Sequence, residues 1–385
     1  MKYLASNAIH IGNFLRAIGV YLPYIVYSTF LATFVPESAV GLIFAAGSIL
    51  AGLAILSAPH LFRQFRTHRV LIFSASLAAF ALLGLSLKLH AILIIALFFT
   101  AWVSGWVVQL ALDVILEKIL DSNEDATGSA RAIFLTASSV AVAISSLIVA
   151  VSLTNGDYWR VFIIGAGAFL ACAYISFRFF SGITHVEQTN VKVKDAFTYI
   201  LKDKSLTAVM SSAFLLQLIF VWSSIYIPLY LHNHAQLEWS SIGLILALAM
   251  APYILFQVPI GYLADKKYGE KEFIIGGFLI SAISFLGMAF SVNAGIILLA
   301  LLVIGLHMGG ALLEIATETY FFKKVQAKDS ELIGVFRALR QVATIAGPVL
   351  GSIMLFYTPF EYAFGVFGLV TLIGIPIAMS IVDTK

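Results

Sequence analysis

Among the charged residues inside the long apolar runs of this sequence, eight are the first candidates for its chemistry. The acids are Asp113, Glu117, Glu314 and Glu318; the bases are Arg16, Arg131, Arg337 and Arg340. A charge at the centre of a membrane-spanning helix costs about 2.5–3.5 kcal/mol on insertion scales, so such a group faces a partner, a wetted cavity or an interface. Trp102, Trp106, Gln109 and Asp113 recur at steps of four, three and four residues, which puts them on one helical face. His307, Gly310, Glu314 and Glu318 make a second stripe of the same kind. Tyr21, Tyr24 and Tyr27 are spaced by three, and Gln217, Trp222, Tyr226 and Tyr230 form a further aromatic series. An aromatic wall carrying a few polar groups suits a small organic molecule, and the same side chains also serve as packing. Tyr230 and Trp239, near span ends, fit interfacial anchors as well.

A carboxyl group on such a wall takes up a proton when its surroundings dry and gives it back when they wet. Glu314 is the first candidate for that role and Asp113 the second. Arg16 lies at a depth comparable to Asp113, so an Arg16–Asp113 pair is expected. His307 in mid-run needs a partner or water, and a hydrogen bond to a helix backbone satisfies it equally.

The elements that must hold these residues are helices in a bilayer. The 385-residue chain is 61% hydrophobic and 11% charged, which no soluble domain of this length matches. Twelve apolar segments lie near 8–33, 39–60, 69–88, 92–118, 129–153, 159–180, 206–231, 240–262, 272–292, 295–321, 332–357 and 361–382. Each has room for the roughly 20 apolar residues a spanning helix needs. None alternates polar and apolar residues as a barrel strand would. The expected fold is therefore an all-α integral membrane protein of twelve transmembrane helices. The single cysteine, Cys172, rules out a disulfide framework. No metal-ligand spacing, phosphate-binding glycine loop or nucleophile motif is present. No cofactor, no enzymatic activity and no nucleic-acid partner are expected.

Orientation follows from lysine and arginine. With a cytosolic N-terminus, the inner loops carry Arg63, Arg66 and Arg69, then Lys192, Lys194, Lys202 and Lys204, then Lys266, Lys267 and Lys271, then Lys323, Lys324 and Lys328. The outer loops carry Lys88 and Arg160. Both termini are thus expected in the cytosol. The N-terminal run is broken by Asn7, His10, Asn13 and Arg16 and reads as a retained first helix. The polar stretch 182–205 separates residues 1–181 from 206–385 and carries Ala196, Phe197, Ile200 and Leu201 at helical spacing. A short helix lying on the inner membrane surface is expected there.

The two parts are related in sequence. Ser38-Ala-Val-Gly-Leu-Ile-Phe-Ala parallels Ser240-Ser-Ile-Gly-Leu-Ile-Leu-Ala, Leu112-Asp113-Val-Ile-Leu-Glu117 parallels Leu313-Glu314-Ile-Ala-Thr-Glu318, and Gly128 with Arg131 parallels Gly334 with Arg337. A duplicated block of six spans is a hallmark of membrane transporters. Between spans 8 and 9 the chain reads Gly261-Tyr-Leu-Ala-Asp265-Lys-Lys-Tyr-Gly269-Glu-Lys271. This stretch resembles the signature loop of the major facilitator superfamily, with Gly261, Leu263, Ala264, Asp265, Lys266, Gly269 and Lys271 matching, one extra residue before the second glycine, and Glu270 where that pattern has a basic residue. The first-half counterpart, Ala58 to Arg69, keeps its basic residues and lacks the aspartate, with Phe62 in its place. Ala346-Gly347-Pro348-Val-Leu-Gly351 resembles the family's Gly-Pro antiporter motif but stands in span 11. Span 5, at Ser138-Ser-Val-Ala-Val-Ala-Ile-Ser-Ser, has no Gly-Pro.

The resemblance implies two pseudo-symmetric six-helix bundles, residues 1–181 and 206–385, that rock about a solute site lined by spans 1, 4, 7 and 10. On that basis Arg16, Tyr21, Tyr24, Trp102, Trp106, Gln109, Asp113, Gln217, Trp222, His307 and Glu314 are expected at the solute site. Gly261, Asp265, Lys266, Gly269, Lys271, Glu117, Arg131, Glu318 and Arg337 are expected as a cytosolic gate. The implied function is secondary active transport of a small organic solute, coupled to protons, by a monomer in a bacterial inner membrane. Aromatic walls with a few acids suit an amphipathic or weakly cationic solute and hence efflux. The missing span 5 motif points instead to uptake of a nutrient or metabolite. Lipid movement and a receptor or scaffold role stand as the other readings.

Overall fold

Backbone amides that cannot reach water must pair within their own segment, and the apolar runs of this chain accordingly wind into helices. The computed structural model describes residues 2–87, 89–120, 127–153, 157–181, 200–263, 269–291, 295–324 and 330–382. The first six helices are α1 (Lys2–Ala32), α2 (Glu37–Phe65), α3 (Thr67–Leu85), α4 (Ala91–Leu120), α5 (Thr127–Ser152) and α6 (Tyr158–Phe179). There follow α7 (Lys204–Asn233), α8 in two pieces (Trp239–Ala249 and Ala251–Leu263), α9 (Glu270–Ala289), α10 (Ile296–Lys324), α11 (Ser330–Tyr357) and α12 in two pieces (Phe360–Leu372 and Gly374–Met379). No strand occurs among the described residues. Ten helical stretches are long and apolar enough to cross a membrane, and the apolar parts of α5 (Thr136–Ser152) and α11 (Gln341–Tyr357) complete twelve. Of the expected surface helix, Ile200–Lys202 is helical and the remainder lies outside the described residues.

The breaks have chemical causes. Pro252 has no N–H to give to the carbonyl four residues back, so the ladder of α8 stops and restarts with this proline in the first turn of the second piece. Pro376 does the same near the start of the second piece of α12. By contrast, α1, α7 and α11 run on as helices through Pro23, Pro228 and Pro348.

The chain divides into two compact units. One comprises Met1–Val35, Ala46–Gln188 and Glu238–Ala247; the other comprises Pro36–Ala45, Thr189–Leu237 and Leu248–Lys385. In the first, α1 packs on α4, α5 and α6, α3 packs on α4 and α6, and α5 touches α6. In the second, α7 packs on α10, α11 and α12, α9 packs on α10 and α12, and α11 touches α12. Adding six to each helix number turns the first set into the second, which also has α8 packed on α10.

Each unit has an aromatic core. Tyr27 packs edge-on to Phe98 and against Phe162, and Phe30 packs on Phe162 and Tyr158. In the second unit Trp222 stacks on Phe367, with Phe285 and Phe364 around them. Many outward-facing residues are large and apolar, among them Leu56, Phe73, Phe80, Val151, Phe177 and Ile297. That is the inverse of a soluble surface and matches a helix bundle in lipid. Little hydrophobic force holds helices together in lipid, so close backbone approach matters. At Gly277 of α9 an added Cβ would lie 2.8 Å from the carbonyl oxygen of Gly309 and 2.7 Å from Leu313. Two glycines therefore seat α10 on α9 and fix the rotation of the stripe that carries His307 and Glu314.

Candidate functional site

The first cluster is built on α1. Asn13 and Arg16 are one turn apart and both buried, at 0% and 2% exposure. The Asn13 amide donates to the Phe134 carbonyl (2.7 Å) and to Ser138 Oγ (2.9 Å) of α5. Its own oxygen accepts from Arg16 Nη2 (2.9 Å), which also donates to Ser138 Oγ (3.1 Å). Arg16 Nη1 donates to Gln109 Oε1 of α4 (3.1 Å), and the guanidinium lies 6.0 Å from the Tyr21 ring. The guanidinium thus reaches Gln109, one turn before Asp113 on the same face. The contacts described for Arg16 are with Gln109, Asn13 and Ser138, where an Arg16–Asp113 pair was expected. Trp102, Trp106, Gln109 and Asp113 are all half-buried, so the predicted face of α4 is the one left partly open. Tyr24 packs on Trp102 (5.3 Å between rings), as do Phe98 and Tyr27.

The second cluster is built on α10. His307, Glu314 and Glu318 are half-buried on one stripe. His307 Nδ1–H donates to the Val303 carbonyl of its own helix (2.9 Å), which leaves Nε2 as the acceptor. Tyr253 of α8 stands edge-on to His307 (6.3 Å, 90°), and its hydroxyl sits against Gly310, where a Cβ would collide with it. That hydroxyl is buried, has no hydrogen-bond partner among the described residues, and lies in the field of Glu314. A carboxyl group, an imidazole and a phenol thus converge within two turns of α10. Tyr253 was not among the residues expected from sequence. Only the packing of α8 on α10 brings it there.

On α7 the expected series divides. Gln217 is half-buried on a stripe with Phe214 and Phe220. Trp222, expected at a solute site, is 2% exposed, stacked flat on Phe367 (4.3 Å, 10°), and its N–H donates to the Gly347 carbonyl (2.9 Å). The Tyr226 hydroxyl donates to the Pro348 carbonyl (3.0 Å). Here Trp222 is a packing residue, because α7 turns it toward α11 and α12. The two donors stitch α7 to the Gly-Pro step of α11.

Among the expected gate residues, Asp265 and Lys266 lie outside the described residues. The side chains of Glu117, Arg131 and Arg337, and Gly261, also lie outside the description, although their helices are placed. Gly269 caps α9 at φ 84°, a left-handed backbone that glycine adopts without strain. Lys271 is half-buried in the first turn of α9. Glu270, the residue that departs from the signature pattern, is fully buried and accepts a 2.6 Å charge-assisted bond from Lys323 at the end of α10. Its place in the first turn of α9 also favours an acid. Lys324 pairs with Asp203 (3.7 Å), whose carboxylate caps α7 through the Leu206 amide (3.0 Å). The sequence signal for Glu270 was its departure from the pattern, and its partner was set by the fold.

At the opposite helix ends a second charged contact appears. Glu37, the first residue of α2, accepts from Asn233 Nδ2 (2.6 Å) and His234 Nε2 (2.8 Å) at the end of α7. His234 stacks on Tyr230, packs on Phe360, and feels Glu361 as a second acid. The hydrogen bond and charge of Glu37 raise its pKa above the usual histidine value despite burial. The contact is therefore fully made below about pH 6.5, the unfolded histidine value, and is lost as pH rises through the raised one. We expect His234→Gln to flatten the loss of thermal stability that wild type shows on going from mildly acid to mildly alkaline pH. Parallel wild-type and variant profiles would refute this.

A model of the Major Facilitator Superfamily matches residues 9–242 and 224–384. Among solved structures, a mutant of the nucleoside transporter NupG is similar at 15% identity and TM-score 0.78, over 97% of this chain and 99% of that one. A POT family transporter in complex with 5-aminolevulinic acid is similar at 12% identity and TM-score 0.80, over 97% and 95%. A bacterial homolog to the human lysosomal transporter Spinster, inward-facing and unoccupied, is similar at 12% identity and TM-score 0.73, over 98% and 95%. No curated protein matches the chain in sequence.

Proposed function

Since the chain belongs to the major facilitator superfamily, we propose that it moves an amphipathic small organic solute by alternating access, outward and coupled to protons. That it is an integral, multi-pass membrane transporter of the secondary kind follows from the family. The observation that carries the finer reading is the α10 cluster. Glu314, His307 and the Tyr253 hydroxyl are gathered in an apolar setting where each is costly to keep. A carboxyl group there holds a proton when its surroundings dry and loses it when they wet, which ties protonation to the access state. Glu314 is the proton carrier in this reading, with Asp113 on the related stripe of α4 as the second carboxyl. Tyr21, Tyr24, Trp102 and Trp106 supply the aromatic wall for a solute that dissolves in the bilayer and has to be expelled. We place both termini in the cytosol of a bacterial inner membrane on the basic-residue asymmetry, and take the working unit to be a monomer.

The gate in this reading is the end carrying Gly269, Lys271, Glu318 and the buried Glu270–Lys323 pair. Contacts that exist in one access state and break in the other bias the equilibrium between them. The test is a thermal-stability screen of the purified protein against sugars, amino acids, organic acids and lipophilic cations at neutral and mildly acid pH. A binder raises stability with the logarithm of its concentration over its affinity. Each hit is then loaded into proteoliposomes with an imposed proton gradient. Proton-dependent movement supports the reading. A hit that no proton gradient moves removes the coupling, and an empty screen turns the case toward lipid movement.

A further inference from the structure

We propose that Arg16 is the docking point for an anionic group, a carboxylate, on the transported solute. The inference rests on the transport reading above and narrows its solute class. Arg16 is 2% exposed and lies well inside α1, within the stretch long and apolar enough to cross the membrane. Its guanidinium presents five N–H donors in a planar fork and no acceptor. Its hydrogen-bond partners are Gln109, Asn13 and Ser138, and all three are neutral. Its Nε–H is buried without a partner among the described residues. A buried cation that carries neutral partners and a spare donor is solvated but not neutralised, which is the costly arrangement. A carboxylate supplies what is missing, a negative charge and acceptor oxygens in the plane of the guanidinium.

The surroundings fit that role. Asn13 is held by the Phe134 carbonyl and Ser138, so it fixes Nη2 and orients the group. Gln109 on Nη1 is half-buried and belongs to the partly open stripe of α4. Being partly open, it is a neutral partner that an arriving anion can replace by a small side-chain movement. Tyr21 lies beside the guanidinium, and Tyr24 with Trp102 continues the aromatic surface. The solute this describes is an aromatic or otherwise amphipathic carboxylate, not the weakly cationic molecule that the acids alone suggest. A membrane potential that is negative inside also favours outward movement of an anion, whose charge then descends the potential.

The test uses the full-length protein in detergent and three matched probes with the same ring: indole-3-acetate, indole-3-acetamide and tryptamine. A set of phenyl-bearing carboxylates with their amides and amines is run alongside. Carboxylates are expected to raise the melting temperature, with amides and amines at least about tenfold weaker, the cost of losing a charge-assisted pair. Arg16→Lys should lose most of that preference, since lysine keeps the charge but not the planar fork. Should that variant fail to fold, Gln109→Glu answers separately. It places a carboxylate beside Arg16 on the chain itself, so it is expected to raise the melting temperature of the ligand-free protein and to abolish the response to carboxylates. Equal or stronger stabilisation by the amides or amines overturns the anion site and leaves the transport reading intact. Gln109→Glu protein that melts lower than wild type, or still responds to carboxylates, also overturns it. No response to any probe of any charge overturns the anion site and counts against solute transport as well.

Discussion

Glu314→Gln is expected to abolish proton-driven solute movement in proteoliposomes, down to the level of protein-free vesicles, while exchange of solute across the membrane without a proton gradient continues. Glutamine keeps the size and hydrogen-bonding shape of the side chain, so the packing around it is preserved. Only the capacity to gain and lose a proton is removed. Exchange needs the solute-loaded protein alone to change access state, and it therefore reports that the fold and the solute site survive. Asp113→Asn is expected to show the same split more weakly, because its stripe lacks the histidine and the tyrosine that accompany Glu314. Wild-type rates and unchanged pH dependence in both variants would show that neither carboxyl carries the proton.

Lys323→Met should destabilise the protein by about 3 kcal/mol. Removing one partner of a buried ion pair costs about 3–5 kcal/mol, and the lower end applies because Lys323 is itself 35% exposed. The expense lies with Glu270, at 0% exposure, which loses its 2.6 Å charge partner. Because Glu270 keeps its charge while losing the Lys323 ammonium, Glu270→Gln in the same background is expected to recover part of the loss. A double-mutant cycle by thermal or denaturant unfolding in detergent measures this directly. If Lys323→Met alone changes stability by less than about 0.5 kcal/mol, the pair belongs with ordinary surface salt bridges. The same variant should also shift the balance of access states, since the pair braces the start of α9 to the end of α10.

The helical class, the twelve spans and the doubled plan were legible in the residues. In lipid the backbone has one way to satisfy itself along a single span, so hydrophobic length alone dictates a helix. The paired motifs around Asp113 and Glu314 carried the duplication. The faces were legible too: steps of three and four put Trp102, Trp106, Gln109 and Asp113 together, and they share a half-buried face in the structure. Even Gly269 stands where a positive φ is needed.

What a face touches was not legible, because a periodic pattern within one helix says nothing about which helix lies opposite. Trp222 and Gln217 sit on one helix with similar sequence credentials. Packing sends the first into a ring stack with Phe367 and leaves the second half-open. Arg16 was expected beside Asp113 by depth; the rotation of α4 against α1 gave it Gln109, and α5 gave it Ser138. Tyr253, Glu270 with Lys323, and Glu37 with His234 came together only through contacts between residues 53 to 197 positions apart. Composition and periodicity are local quantities, and they determined the kind of protein this is and the stripes it presents. Partners for buried charges are chosen by non-local helix packing, and that choice decided which of those stripes hold a proton, a solute or each other.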